Sequence, residues 1–216
     1  MLTAFVVAAI QVAFARTNTG DEAFRNGNLY KALSKYHAAM AKMQTAHGTL
    51  PSTYNFLQAR DGLPFYDPVD AFLLINRSRI ARTYLRLAAY DEVCRWAAAA
   101  VDTEPRFPRP KTAWANFARS YHQAAHYCKA IAYEKTDNLD QAVWNMWKAL
   151  KCDPGDGHVF QKHMALQKAR EEEKLRHEAI IAMATAKKSR KKDNGKRRAQ
   201  EKRAKGRGCV IGAGIL

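Results

Sequence analysis

The sequence predicts an all-α fold built from stacked helix pairs, and three observations indicate it. Three stretches, beginning at Gly20, Ala81 and Ala130, share one spacing of small and aromatic residues. Small residues recur where two helices must approach closely, and a leucine or tyrosine recurs two residues after each turn. Apolar residues of these stretches also follow helical spacing. The chain of 216 residues is long enough for about three to five such pairs and a tail.

The shared spacing resembles the tetratricopeptide repeat (TPR), a helix-turn-helix unit of about 34 residues. The first copy contains Gly20, Ala23, Gly27, Leu29, Ala32, Tyr36 and Ala39. The second contains Ala81, Tyr84, Ala88, Tyr90, Val93, Ala97, Ala100 and Pro105, and the third Ala130, Tyr133, Asp137, Leu139, Ala142, Met146, Ala149 and Pro154. The resemblance implies an α-solenoid with a concave groove on the side of the first helices. Such a groove binds protein partners, and nothing in the pattern performs a reaction.

Breaks in the pattern predict three parts. Residues 1–157 form the TPR-like domain, with an insertion at about 45–69 that is rich in Gly and Pro. Residues 158–186 form a capping and extended helix, and residues 187–216 form a disordered basic tail. The third copy has a lengthened first helix, Lys111 to Lys135.

The apolar start, residues 1–15, has two interpretations. It ends in Ala13-Phe14-Ala15, which is typical of a secretory signal. No Lys or Arg precedes it and Gln11 interrupts it, which favours the first helix of the first repeat or a cap beside it. The second interpretation predicts a cytoplasmic or nuclear protein. The cysteines agree with it, because they are too scattered for a disulfide framework.

Chaperone-binding members of the TPR family hold a carboxylate with Lys and Asn residues on successive first helices. By resemblance, Thr17 and Asp21 stand at the first two positions of this clamp. The next position falls on Asn76 or Arg79, depending on whether the helix has an extra turn. The last two fall on Thr112 and Asn116 or on Ala124 and Cys128. The repeats are thus similar to those of co-chaperones, but at most one clamp residue remains. The sequence therefore does not predict the usual binding of chaperone tails.

The predicted groove instead carries basic residues with apolar residues between them. These are Arg25, Arg82, Arg86 and Lys135, with Phe24, Leu85 and Tyr127. This mixture suits an acidic peptide with an apolar anchor. Alternatively, the arginines form a solvated face or pair with Asp70, Asp91 and Glu92.

The tail is polycationic. Residues 187–207 contain twelve Lys or Arg and two acidic residues, out of a net charge of +16 for the whole chain. Two clusters resemble a split nuclear import signal and also suit phosphate contacts: Lys187, Lys188, Arg190, Lys191 and Lys192, then Lys196, Arg197 and Arg198. A solubility tail is a third interpretation. The leading hypothesis is thus an adaptor with a targeting tail, and the alternative is a nucleic-acid-associated protein.

No catalytic, cofactor or metal site is predicted. His122 and His126 share one helical face, but the sequence offers them no third ligand. Glycine-rich phosphate loops and nucleophile motifs are missing from the sequence. The four tryptophans, Trp96, Trp114, Trp144 and Trp147, lie at helical core spacing and are interpreted as packing residues.

Overall fold

A computed structural model describes residues 4–48, 68–103 and 111–207. Every regular element in these ranges is an α-helix, which confirms the predicted all-α class. In chain order they are α1 (Ala4–Arg25), α2 (Leu29–Gly48), α3 (Pro68–Arg86), α4 (Tyr90–Val101), α5 (Lys111–Lys135), α6 (Leu139–Cys152) and α7 (Gly157–Arg207). The apolar start lies in α1 from Ala4 onward. Most of the predicted insertion and the last residues of the chain lie outside the described ranges.

The three helix pairs α1/α2, α3/α4 and α5/α6 close through the same turn. Its middle residue has a positive φ in each case: 76° at Gly27, 55° at Ala88 and 56° at Asp137. In the first turn the N–H of Gly27 donates to the carbonyl of Phe24 at 3.1 Å, and the next N–H donates to the carbonyl of Ala23 at 2.8 Å. The other two turns repeat both hydrogen bonds. These bonds satisfy carbonyls that would otherwise be unpaired at a helix end.

Small residues let the helices of a pair approach closely. A Cβ atom at Gly20 of α1 would lie 2.6 Å from Cε1 of the Tyr36 ring on α2. Tyr36 is 1% exposed and belongs to a core cluster that also contains Met43 of α2 and Phe72 of α3. In the first pair the core therefore depends on an aromatic ring of the second helix that packs on a small residue of the first helix.

The start of α7 covers the last helix pair. Val159 and Leu166 are buried with Ala142, Met146 and Ala149 of α6. His163, on the same stretch, is 6% exposed. This part of α7 belongs to the first of two compact units, residues 1–167. It supplies the apolar cover that a terminal repeat needs.

The second unit comprises residues 168–216. Its described part is helical to Arg207, and the side chains of residues 171–202 are exposed. The structure thus differs from the predicted disordered tail over 187–207, and no helix ends at the predicted boundary of 186. Lys, Arg, Glu, Gln and Ala favour helix strongly, so a helix begun upstream continues without burying apolar surface. No described helix has the length and apolar composition needed to cross a membrane.

Candidate functional site

A cavity of about 430 Å³ opens between the first two helix pairs. We call it the N-terminal cavity. It is lined by Asp21, Phe24 and Arg25 of α1, Tyr36 of α2, and Arg79 and Arg82 of α3. Residues three and four apart share one helical face, which brings the α1 and α3 residues to the same opening.

The carboxylate of Asp21 joins the three helices that form the N-terminal cavity. Its Oδ1 accepts a hydrogen bond of 2.7 Å from the hydroxyl of Tyr36. Its Oδ2 forms an ion pair of 2.8 Å with Nη2 of Arg79. Burial, and then the hydrogen bond to Asp21, raise the pKa of Tyr36, so the phenol remains a donor at neutral pH. Both carboxylate oxygens therefore already have partners.

Two guanidinium groups lie near the ring of Phe24. The Cζ atom of Arg82 is 5.4 Å from the ring centroid, and that of Arg86 is 4.8 Å from it. Nη1 of Arg86 also donates a hydrogen bond of 3.1 Å to the carbonyl of Phe24 at the end of α1. Both guanidinium groups thus make cation–π contacts with the same ring.

These arginines have no acidic partner in the described part of the chain. No ion pair there involves Arg25, Arg82 or Arg86. Glu92, one of the alternative partners considered above, pairs instead with Arg95 and accepts a hydrogen bond from Trp96. The positive charge at the cavity is thus available to an external anion.

A second cavity of about 280 Å³ shares Arg82 with the first. This C-terminal cavity is also lined by Tyr127 of α5 and His158 of α7, whose ring centroids are 5.7 Å apart. Asp156 closes it by accepting hydrogen bonds from the backbone N–H groups at the start of α7 and from Nε2 of Gln123 at 2.8 Å. The two cavities together offer a basic part and an aromatic part.

The predicted groove residues are only partly brought together. Phe24, Arg25 and Arg82 line the N-terminal cavity, and Arg82 and Tyr127 line the C-terminal one. Leu85 lines neither; it packs half-buried on the cluster of Val93, Cys128 and Ala132. Lys135 is exposed in the last turn of α5, and Arg86 lies beside Phe24. The basic residues from Lys187 to Arg198 are all exposed on α7.

Two residues that align with carboxylate-clamp positions are buried inside the protein, so a ligand does not reach them. Thr17 is 2% exposed and Asn76 is fully buried. The hydroxyl of Thr17 donates to Oδ1 of Asn76 at 3.1 Å, and Nδ2 of Asn76 donates to the carbonyl of Phe72 at 3.0 Å. Asn76 thus ties α3 to α1 and does not face a ligand. Burial also raises the pKa of Cys128, another aligned position, to about 11.

Among the described residues, three histidines have a buried ring nitrogen without a hydrogen-bond partner: Nε2 of His122, Nδ1 of His126 and Nδ1 of His163. Burial lowers the pKa of all three, and that of His126 falls to about 4. In the described ranges no three His, Cys, Asp or Glu side chains are grouped so that they could hold a metal ion. The imidazoles are therefore neutral core groups at physiological pH.

Trp144 corrects the interpretation of the tryptophans as packing residues, whereas its neighbour Trp147 is partly buried. Their rings stack on the outer side of α6 with centroids 4.7 Å apart, and Trp144 is 49% exposed. Lys148 and Lys151 each lie over one of the rings. The stretch of α6 that packs on α5 and α7 uses alanine, valine and methionine instead.

The comparison with solved structures identifies the architecture. The chain is similar to the TPR-containing C-terminal domain of an FK506-binding protein from Plasmodium falciparum, with a TM-score of 0.54 and 17% sequence identity. The match covers 77% of this chain and 93% of that domain. The fold is TPR-like. No protein-family model matches the sequence, and no curated protein matches it either.

Sequence reasoning missed the groups that organise this TPR-like surface. Arg79 and Asp21 were considered only as aligned clamp positions, and Tyr36 only as a residue of the first repeat copy. The sequence does place Asp21 four residues before Arg25 on α1, and Arg79 three residues before Arg82 on α3, so each pair of residues lies on one helical face. Gln123, Asp156 and His158 gave no such signal, because the start of α7 meets α5 only in the folded chain.

Proposed function

We propose that this protein is a non-enzymatic adaptor that binds an acidic peptide segment of a partner protein along the two cavities. The observation that carries the proposal is the pair Arg25 and Arg82, which share a cavity with Phe24 and lack acidic partners in the described chain. Guanidinium groups supply forked donors to acidic side chains, and the aromatic wall at Tyr127 accommodates an apolar anchor.

The proposal is tested by affinity purification with a chain that lacks residues 187–216, so that nonspecific attraction to the basic segment is removed. We expect a specific partner that the Arg82→Ala variant retains much less well, because the shared wall of both cavities loses its charge. Arg95→Ala is the matched control, since Arg95 lies on α4 and pairs with Glu92. Equal capture by Arg82→Ala and the parent chain would exclude groove binding.

A second candidate is binding of nucleic acid or another anionic surface by the basic part of α7, with nuclear import as a related role. It is supported by the complete exposure of residues 187–202. Phosphate contacts of this kind depend steeply on salt and little on base sequence. Binding of labelled RNA and DNA duplexes at two salt concentrations tests it: deletion of residues 187–216 is expected to abolish the binding, while Arg82→Ala leaves it unchanged.

A further inference from the structure

We infer that the acidic group bound in the N-terminal cavity is a phosphorylated serine or threonine side chain of the partner, so that phosphorylation controls the interaction. This inference rests on the proposed function, because it names the chemical class of ligand that the same groove takes. Its consequence is that the unmodified partner binds weakly.

The charge of the cavity favours a dianion. Its described lining contains three arginines, Arg25, Arg79 and Arg82, and one carboxylate, Asp21. The cavity therefore has a surplus of two positive charges, and Arg86 adds a further one beside Phe24. A glutamate or aspartate of a peptide supplies one negative charge, whereas a phosphomonoester carries about −1.5 to −2 at pH 7. With a single side chain, a phosphate therefore comes closer to neutralising this surplus than a carboxylate does.

Contacts within the cavity leave two of the guanidinium groups free for a ligand. Tyr36 and Arg79 engage both oxygens of Asp21, so this carboxylate does not neutralise Arg25 or Arg82. Among the described residues, Arg25 makes a long hydrogen bond, 3.4 Å, to the carbonyl of Asp21 in its own helix. The Arg82 guanidinium lies over the ring face of Phe24. Neither guanidinium must give up an ion pair within the described chain when an anion binds.

The two guanidinium groups come from different helices. Arg25 lies in the last turn of α1, and Arg82 lies on α3. A carboxylate has two coplanar acceptor oxygens, and one guanidinium fork can engage both of them. A phosphate has three acceptor oxygens in a tetrahedral arrangement and accepts donors from two directions. The arrangement therefore matches a phosphate better than a carboxylate.

The test measures binding of three peptide libraries to the full-length chain by fluorescence anisotropy. The libraries have the same degenerate flanks around a fixed serine, glutamate or phosphoserine. We expect phosphoserine to bind about tenfold more tightly than glutamate, and serine to bind least. Equal affinity for glutamate and phosphoserine would overturn this inference and leave the proposed function standing. Binding of none of the libraries would overturn both.

Two further measurements separate the cavity from the basic helix, which attracts any anion. Arg82→Lys keeps the charge and removes the forked donor, so it should reduce the preference for phosphoserine severalfold; Arg95→Lys on α4 is the matched control. Every variant retains the basic helix, so its contribution cancels. Lowering the pH from about 7.5 to 5.5 should weaken phosphoserine binding, since its second pKa is about 6, and should leave glutamate binding unchanged. An unchanged preference in Arg82→Lys, or one pH profile for both peptides, contradicts the inference.

Discussion

At the scale of single residues, Gly20 sets the distance between α1 and α2. A methyl group there would enter the ring of Tyr36, which is buried and donates to Asp21. We expect Gly20→Ala to lower the free energy of unfolding by about 1–2 kcal/mol, because overpacking outweighs the gain of roughly 1 kcal/mol in helix propensity. Urea unfolding measures the change. Gly157→Ala is the control, since nothing lies within 4 Å of its added methyl, and equal stability of both variants would contradict this account.

The buried histidines make stability depend on pH. Because burial lowers the pKa of His126 to about 4, the unfolded chain, whose histidines titrate near pH 6.5, binds more protons at mildly acidic pH. The contribution to stability is complete above pH 6.5 and is lost as the pH falls towards 4. We expect the melting temperature to fall between about pH 7 and 5, and His126→Gln to flatten that decrease. Parallel profiles for the variant and the parent chain would contradict the assignment.

The three turns within the helix pairs share one backbone geometry but have different residues at the position of positive φ. Gly27 adopts its positive φ without strain, whereas Ala88 adopts φ 55° with a Cβ atom. We expect Ala88→Gly to stabilise the protein by about 1 kcal/mol, because relief of the left-handed strain exceeds the entropy cost of glycine. Thermal unfolding measures the change. Ala89→Gly is the control: its φ is −88°, so it should not stabilise, and a gain of similar size there would refute the explanation.

The basic part of α7 contributes positive charge, and its described side chains bury no surface in the hydrophobic core. All side chains of residues 171–202 are exposed, so deletion of residues 187–216 should leave the melting temperature of the repeat unit unchanged. The same deletion should eliminate retention on an anionic resin at moderate salt, since it removes most of the net charge. A lower melting temperature after the deletion would mean that this segment packs against the repeats.

At the scale of the whole molecule, most of the fold could be predicted from the repeat spacing. The bounds of α5, Lys111–Lys135, were predicted from helical spacing between Pro110 and the Thr136-Asp137-Asn138 turn. The turn at Gly27 was predicted because glycine there has a clear conformational reason. These features are local, so the sequence contains the information directly.

Features that depend on distant contacts were not predictable. Asn76 matched a ligand-binding position in sequence, yet its partner Thr17 is 59 residues away and buries it. The network of Asp21, Tyr36 and Arg79 likewise requires three helices to meet. The helical state of residues 187–207 was missed because their lack of apolar residues was weighed above their high helix propensity.

The central claim is that ligands bind at the surface formed by α1 and α3. The most direct test is chemical-shift mapping of the labelled full-length chain with the tightest acidic peptide from the libraries. The account predicts the largest shifts at residues 21–25 and 79–86, with a second group near Tyr127. Shifts confined to the Trp144 face of α6, or to residues 187–207, would contradict it.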